Sequence, residues 1–252
     1  MANIRRGRVS SVCLILLVWT SGAAAENPDP DQVIEGYLEA IGGRQALEAI
    51  QDRTLKGKLS AFGMPGTMEL HEKRPNKMHQ FIDMGMARIE VWFDGEKGYR
   101  NDPMQGAGPF TDEDTEEAKA NYVIAPLANY RERGLKARYV ETANVGERPA
   151  HVVELTDPRG KAVRFYFDSV SHEIVKLVAP LPAREGTGEQ EIALSDYREV
   201  AGVKFPFKLV RTTPTMTVEI EIDSIEVNRG LDDALFRTPA QLGTPARNAP
   251  HP

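Results

Sequence analysis

The sequence is poor in cysteine, in base and in long apolar runs. Its one cysteine, Cys13, lies in an N-terminal segment where Arg5, Arg6 and Arg8 precede the apolar run VCLILLVW and the small residues SGAAA. That order is the pattern of a secretory signal peptide, so residues 1–25 are expected to be removed near Ala25. The run from Val12 to Trp19 is far short of the roughly 20 apolar residues that span a bilayer. A lipid-attachment cysteine would follow the run, whereas Cys13 stands at its start. The expectation is a soluble periplasmic protein without cysteine, which excludes disulfides, thiol catalysis and cysteine metal sites.

Base is also scarce. The chain has 31 basic and 37 acidic residues, and loss of the three leader arginines leaves 28 against 37, a net charge of −9. That balance disfavours nucleic acid and anionic lipid surfaces as partners. Signatures of common chemistry are missing as well: there is no G-x-S-x-G, H-E-x-x-H, phosphate-binding loop or G-x-G-x-x-G. The GAG at 106–108 reads as a loop. The acidic run DEDTEE lacks the spaced ligands and glycine of a calcium loop.

Histidine is equally sparse. Across a two-residue Pro75-Asn76 turn, His79 is predicted opposite Glu72, with His71 on the other face; a longer turn brings the two closer. Closed metal sites need three or four convergent ligands. No catalytic residue, metal or cofactor is therefore predicted, and no pair of groups is placed for acid–base work.

What the sequence does have is alternation. About a dozen segments repeat apolar and polar residues with period two, among them TLKGKLSAF, TMELHEKR, ARIEVWFD, AHVVELTD, KAVRFYFD and TMTVEIEIDSIEV. Short turn signals separate them, which indicates antiparallel strands, since parallel ones need crossover helices. The stretch LSDYREVAGVKFPFKLV folds about Ala201-Gly202, pairing Val200 with Val203, Arg198 with Phe205, Asp196 with Phe207 and Leu194 with Leu209 on one face. Glu199 with Lys204 and Ser195 with Lys208 fall on the other. Asp196 and Arg198 are polar on an otherwise apolar face, as a rim ion pair or as residues beyond the covered region.

Helices are few. DQVIEGYLEAI puts Val33, Ile34, Tyr37, Leu38 and Ile41 on one stripe ended by Gly42-Gly43. RQALEAI forms a second, and a third is predicted from the cap Thr111 to about Ile124, before Pro126.

A sheet of about eleven strands at ~4.8 Å spacing is about 50 Å wide, while three helices of ~10 Å cover about 30 Å. The sheet is therefore expected to curl on itself and enclose an apolar cavity. Its inward positions name the candidate ligand contacts: Val163, Phe165, Phe167, Leu177, Phe205 and Phe207, with Trp92 out of step with Val91 and Phe93.

Several segments together resemble one family: AIGGRQAL, GMPGTMEL, RPNKMHQ, FDGEKGY, RFYFDSVSHEIVKL, SDYREVAGVKFPFKL and NRGLDDALFRTP, from about Gln32 to Pro239. In this order they are similar to the periplasmic outer-membrane lipoprotein-sorting proteins of LolA-like and LolB-like fold. The resemblance implies a mainly β chain, a single unclosed antiparallel barrel of about eleven strands with about three short helices as lid. It further implies a non-enzymatic carrier of a lipid or lipoprotein acyl chain; the best-known carrier of the group locks its lid with an arginine, whose counterpart the sequence does not identify. Membrane-bound proteins would be its donors and acceptors, and the carrier itself a monomer. The alternative is a packed cell-envelope interaction module. The domain is expected over 26–238, followed by a disordered tail at 239–252, rich in Pro and poor in apolar residues.

Overall fold

A computed structural model describes residues 27–103, 106–182 and 185–241. The expected leader, 1–25, and the tail beyond Gln241 lie outside the described residues. Chain order begins with two helices, α1 (Pro30–Ala40) and α2 (Gly43–Ala49). Six strands follow: β1 (Asp52–Ala61), β2 (Met64–Lys73), β3 (Lys77–Asp83), β4 (Arg88–Phe93), β5 (Gly98–Asp102) and β6 (Gly106–Pro109). Helix α3 (Asp112–Asn121) leads to β7 (Lys136–Val145), β8 (Arg148–Thr156), β9 (Ala162–Asp168) and β10 (Ile174–Pro180). The last strands are β11 (Glu189–Val200), β12 (Val203–Thr212) and β13 (Thr217–Val227), and a short 3-10 turn occupies Asp233–Phe236.

All strand pairs are antiparallel, and they form one sheet in the order β6-β5-β4-β3-β2-β1-β13-β12-β11-β10-β9-β8-β7. The two meanders join where β1 pairs with β13, so the first and last strands are neighbours. Strands β6 and β7 are the free edges, and the sheet is not closed. Among the described residues thirteen strands replace the expected count of about eleven. The unforeseen one is β6, where the glycines of the GAG stretch pair with Arg100 and Asp102 of β5 in place of forming a loop.

Register follows the alternation. Val200 pairs with Val203, Glu199 with Lys204, Arg198 with Phe205, Ser195 with Lys208 and Leu194 with Leu209, as the Ala201-Gly202 turn predicts. Asp196 leaves the ladder locally with φ 56° and makes no bridge to Phe207. The β2–β3 turn departs from expectation: Lys73 pairs with Lys77, so three residues connect the strands and His71 stands directly opposite His79.

Local signals set the helices. Asp29 caps α1, its carboxylate accepting from Asp31 N at 3.0 Å, with Pro30 in the first turn where its missing N–H is no loss. Of the predicted stripe, Val33, Ile34, Leu38 and Ile41 are buried. Helix α3 has a full capping box between Thr111 and Asp114, and stops at Asn121 rather than near Ile124.

The segment after α3, residues 122–135, crosses between the free edges of the sheet. It inserts Ile124, Leu127 and Tyr130, each buried, into the same core as Leu38, Leu47, Val153, Phe167, Val203, Phe205 and Ile222. Each such apolar side chain contributes roughly 1.5–3 kcal/mol by leaving water. Helix α3 covers a smaller cluster of Met78, Val91, Phe93 and Ala118.

After β13 the chain straps the outside of the sheet. The Asp52 carboxylate accepts from the backbone N–H groups of Arg229, Gly230 and Leu231. Lys73 and Lys77 bond Asp233, holding that carboxyl at about 2. Pro239 is buried and Gln241 donates to Asp94 at 2.6 Å, so the packed chain reaches at least Gln241.

The α1–α2 junction carries a sharp prediction. Gly42 has φ 127°, and a Cβ there would lie 2.2 Å from the Gly202 carbonyl oxygen, whereas Gly43, φ 83°, has open space. Gly42→Ala should cost about 2–4 kcal/mol of unfolding free energy and Gly43→Ala only about 1 kcal/mol. Urea titration of both variants checks this; equal losses would show that the close approach is not what fixes glycine at 42.

Candidate functional site

The concave side is built from the inward half of each strand. One continuous row crosses seven strands by register: Phe165, Leu177, Ile192, Arg211, Val218, Ala61 and Met64. The next row inward is Leu194, Leu209, Ile220, Leu59 and Gly66. Phe165, Leu177, Leu194, Leu209, Val218 and Ile220 are only half-buried while packed against the main core. They form an apolar strip at the end of the sheet opposite the α1–α2 junction.

The sequence-predicted contacts divide accordingly. Phe167, Phe205 and Phe207 are buried in the main core, at 1%, 7% and 7% exposure. Phe165 and Leu177 pair with each other on the strip. Val163 is half-buried, opposite Leu155. Trp92 is not brought together with them. It points to the convex face, stacked at 5.4 Å on His79, which stacks at 5.8 Å on His71. The parity of β4 leaves no other place for it, since Val91 and Phe93 take the inward positions.

On that convex face His71 Nδ1 is 2.9 Å from Thr54 Oγ1, and His79 Nε2 is 2.9 Å from Glu90. Burial depresses the His71 pKa, against the opposing pull of Glu69. The two imidazoles lie flat against each other, and no group of three or more His, Cys, Asp or Glu suited to a metal occurs among the described residues.

Charges on the concave side are paired. Arg53 bonds Glu72 and lies 5.6 Å from the Phe205 ring centroid. Nearby burial pushes the Tyr37 hydroxyl up to about 12. Arg211 bonds Glu185 and donates to Gln190 at 2.6 Å. Asp196 and Arg198 form a two-bond pair at 2.5 and 3.0 Å, both exposed, with the guanidinium 4.5 Å over Phe207. Among the described residues two surface depressions occur, the first broadly open to solvent and the second partly enclosed. One is lined by Lys58, Leu59, Pro65, Gly66, Thr67 and Asp83; the other, polar, lies between α1, α2 and residues 128–132.

That second depression marks how the 122–135 segment is fastened. Tyr130 donates to Asp31 of α1, and Arg131 pairs with the same carboxylate. From α2, Arg44 donates to the Ala128 carbonyl while bonding Glu35 at 2.7 Å. Arg133 donates to the Pro126 carbonyl within the segment and to the Ala120 carbonyl of α3. The Tyr130 hydrogen bond, with Arg131 beside it, holds the Asp31 carboxyl below its ordinary range. Burial, reinforced by Asp31, lifts the Tyr130 hydroxyl to about 12. The sequence reading took Pro126 only as a helix stop and missed this plug. The three-residue spacing of Ile124, Leu127 and Tyr130 was the available signal.

No family model matches the sequence, and no curated protein is significantly similar to it. Solved structures are similar in fold. A domain assigned to outer membrane lipoprotein sorting, from Vibrio parahaemolyticus, superposes with TM-score 0.55 at 9% identity, over 83% of this chain and all of that one. A DUF1329 family protein from Desulfovibrio piger gives 0.55 at 12% identity, over 85% of this chain and 100% of its own. A LolA superfamily protein from Nitrosomonas europaea gives 0.55 at 10% identity, over 84% and 99%. The chain has the LolA-like fold.

The latch has a pH sign. A carboxyl whose folded pKa is lowered stabilises the fastened state above its unfolded pKa, near 3.8, and that contribution is lost as pH falls through the folded value. Asp31→Asn should therefore speed amide exchange at residues 124–130 at pH 7 while the β-sheet amides stay protected. Unchanged exchange in the segment would show that the apolar contacts of Ile124 and Leu127 alone hold it.

Proposed function

We propose that the protein is a periplasmic carrier that holds the acyl chain of a lipid or lipoprotein against its concave face. One observation carries the reading: the half-buried apolar strip of Phe165, Leu177, Leu194, Leu209, Val218 and Ile220, which continues the core to the open end of the sheet. Apolar side chains left half-covered on the inside of a curled sheet suit an apolar guest better than water. The fold agrees, being shared with a domain assigned to lipoprotein sorting. The leader-like N-terminus supports the compartment.

The physics of such a carrier needs only burial. An acyl chain of about 14 carbons gains on the order of 10 kcal/mol gross by leaving water, less the cost of ordering it and of making room. Room comes from the 122–135 plug. Its apolar side chains fill the concave side, but polar bonds to Asp31 and Arg44 fasten it. A guest entering beneath it exchanges one set of apolar contacts for another, and the net free energy stays small enough for release. No proton transfer or covalent step takes part, so the carrier is not an enzyme; it acts as a monomer, and membrane-bound proteins donate and accept its cargo. The independent unit is residues 26–238, extended by the packed residues up to Gln241.

A second reading, a packed interaction module of the cell envelope, is favoured by the same plug, since Ile124, Leu127 and Tyr130 already occupy the concave side. Uptake of a fluorescent C14 or C16 acyl probe by delipidated protein separates the two. The carrier should bind it stoichiometrically, and Leu177→Trp, which adds bulk to the half-buried strip, should weaken binding on the order of 10-fold with little change in unfolding midpoint. Native mass spectrometry of protein purified without detergent should show a co-purifying lipid. Bare protein that takes up no probe would favour the packed module.

A further inference from the structure

Among the described residues four large apolar side chains are conspicuously exposed: Phe62 at 62%, Met64 at 42%, Met86 at 92% and Val170 at 82%. Val170 stands alone in the β9–β10 turn, at the other end of the sheet. The remaining three gather on two neighbouring hairpin tips at the open end of the concave strip. Phe62 and Gly63 connect β1 to β2, and Met84 to Ala87 connect β3 to β4. The tips touch through Met84, whose sulfur lies 2.5 Å from where a Cβ on Gly66 would be, so glycine at 66 is what lets them pack together.

The Phe62 backbone makes this arrangement unusual. Phe62 has φ 52° and Gly63 φ 72°, a two-residue hairpin turn with both central residues left-handed. Asn, Asp and Gly suit its first position, and a phenylalanine does not. Here the aromatic residue is kept against backbone preference and also faces water, and such local conflicts collect where a surface has work to do. The second tip is firmly built. Met84 N donates to the Ala87 carbonyl, Gly85 N donates to Asp83 at 2.7 Å, and Arg88 pairs with Asp83 at its base. Met86 is therefore held out on an ordered turn.

We propose that this end of the sheet docks on a lipid bilayer, with Phe62, Met64 and Met86 entering its interfacial region. The depression at the bases of the tips, lined by Lys58, Leu59, Pro65, Gly66, Thr67 and Asp83, is broadly open to solvent, whereas Phe62, Met64 and Met86 are separate raised points that can enter lipid independently. Lys58 and Arg88, on the strands that lead to the tips, are each paired with a carboxylate, Asp223 and Asp83, so neither is a free cation for an anionic surface. The chain as a whole is acidic. Docking is thus apolar, suited to zwitterionic lipid and insensitive to salt. The choice of a bilayer rests on the carrier reading. The strip reaches the tips directly, with Val218 opposite Ala61 and Ala61 opposite Met64, so a docked rim sets the strip against the membrane that supplies or receives the acyl chain.

The test is co-sedimentation of the purified protein with phosphatidylcholine vesicles at 50 mM and 500 mM salt, alongside the double variant Phe62→Asn, Met86→Ser. Asparagine suits the turn, so the variant should be at least as stable as the parent, which thermal unfolding checks. The parent should bind at both salt concentrations, and the variant on the order of 10-fold or more weakly. Acyl-probe uptake, measured in parallel without vesicles, should be the same for both. A parent that takes up the probe but ignores vesicles, or a variant that binds vesicles as well as the parent, overturns the docking proposal and leaves the carrier reading standing. Vesicle binding lost in the variant, in a protein that takes up no probe, upholds docking and removes the carrier reading.

Discussion

The structure depends on the pairing of β1 with β13. Each half of the chain is a meander that could exist as a separate sheet, with its own apolar face to cover. Joining the first strand to the last makes the two one surface, and the right-handed twist accumulated over so many strands bends it until the apolar faces look at each other. The concave side, the free edges at β6 and β7, and the need for something to bridge them follow from that junction.

The covering of the concave side is unequal. At the α1–α2 end it is dense: Ile34, Leu38, Leu47 and Ile50 are almost wholly buried, and Gly42 approaches the Gly202 carbonyl too closely for a Cβ. Over the middle lies the 122–135 plug, apolar where it meets the core and polar where it meets the helices. At the far end helices and plug give out, and the strip from Phe165 to Ile220 stays half-covered. A gradient from closed to open along one continuous apolar face explains why the same fold can be read as packed or as receptive. The distinction lies in how readily the plug moves, and it is held both by its buried apolar side chains and by its bonds to Asp31 and Arg44.

The outer face shows how the same rules serve a different end. Trp92 and His79 are buried there, and the chain after β13 packs over that side of the sheet, anchored by Asp52, Lys73 and Lys77 and finishing at Asp94. Among the described residues the large apolar side chains left exposed are Phe62, Met64 and Met86 on the two tips and Val170 in the β9–β10 turn.

Much of the fold was legible because period-two alternation is a local property. It located the strands, gave the inward parity of Phe165, Phe167, Phe205 and Phe207, and with the Ala201-Gly202 turn set the β11–β12 register. The apolar stripe from Val33 to Ile41 and the capping Thr111 likewise announced two helices. Where expectation and structure part, the deciding contact is remote in sequence. Strand β6 has too few side chains to show a pattern and exists because β5 offers it an edge. His71 meets His79 because three residues, not two, fit the β2–β3 turn. Ile124, Leu127 and Tyr130 lie outside any helix or strand, and only the core shared by α1, α2 and the sheet gives their three-residue spacing a meaning. The sequence by itself determined a sheet with one apolar face and too few helices to cover it, since that depends on residue type and spacing alone. Which part of the face is sealed, which is left open, and what fastens the seal were decided by tertiary structure, because each depends on residues about 85 to 180 positions apart being brought within bonding distance.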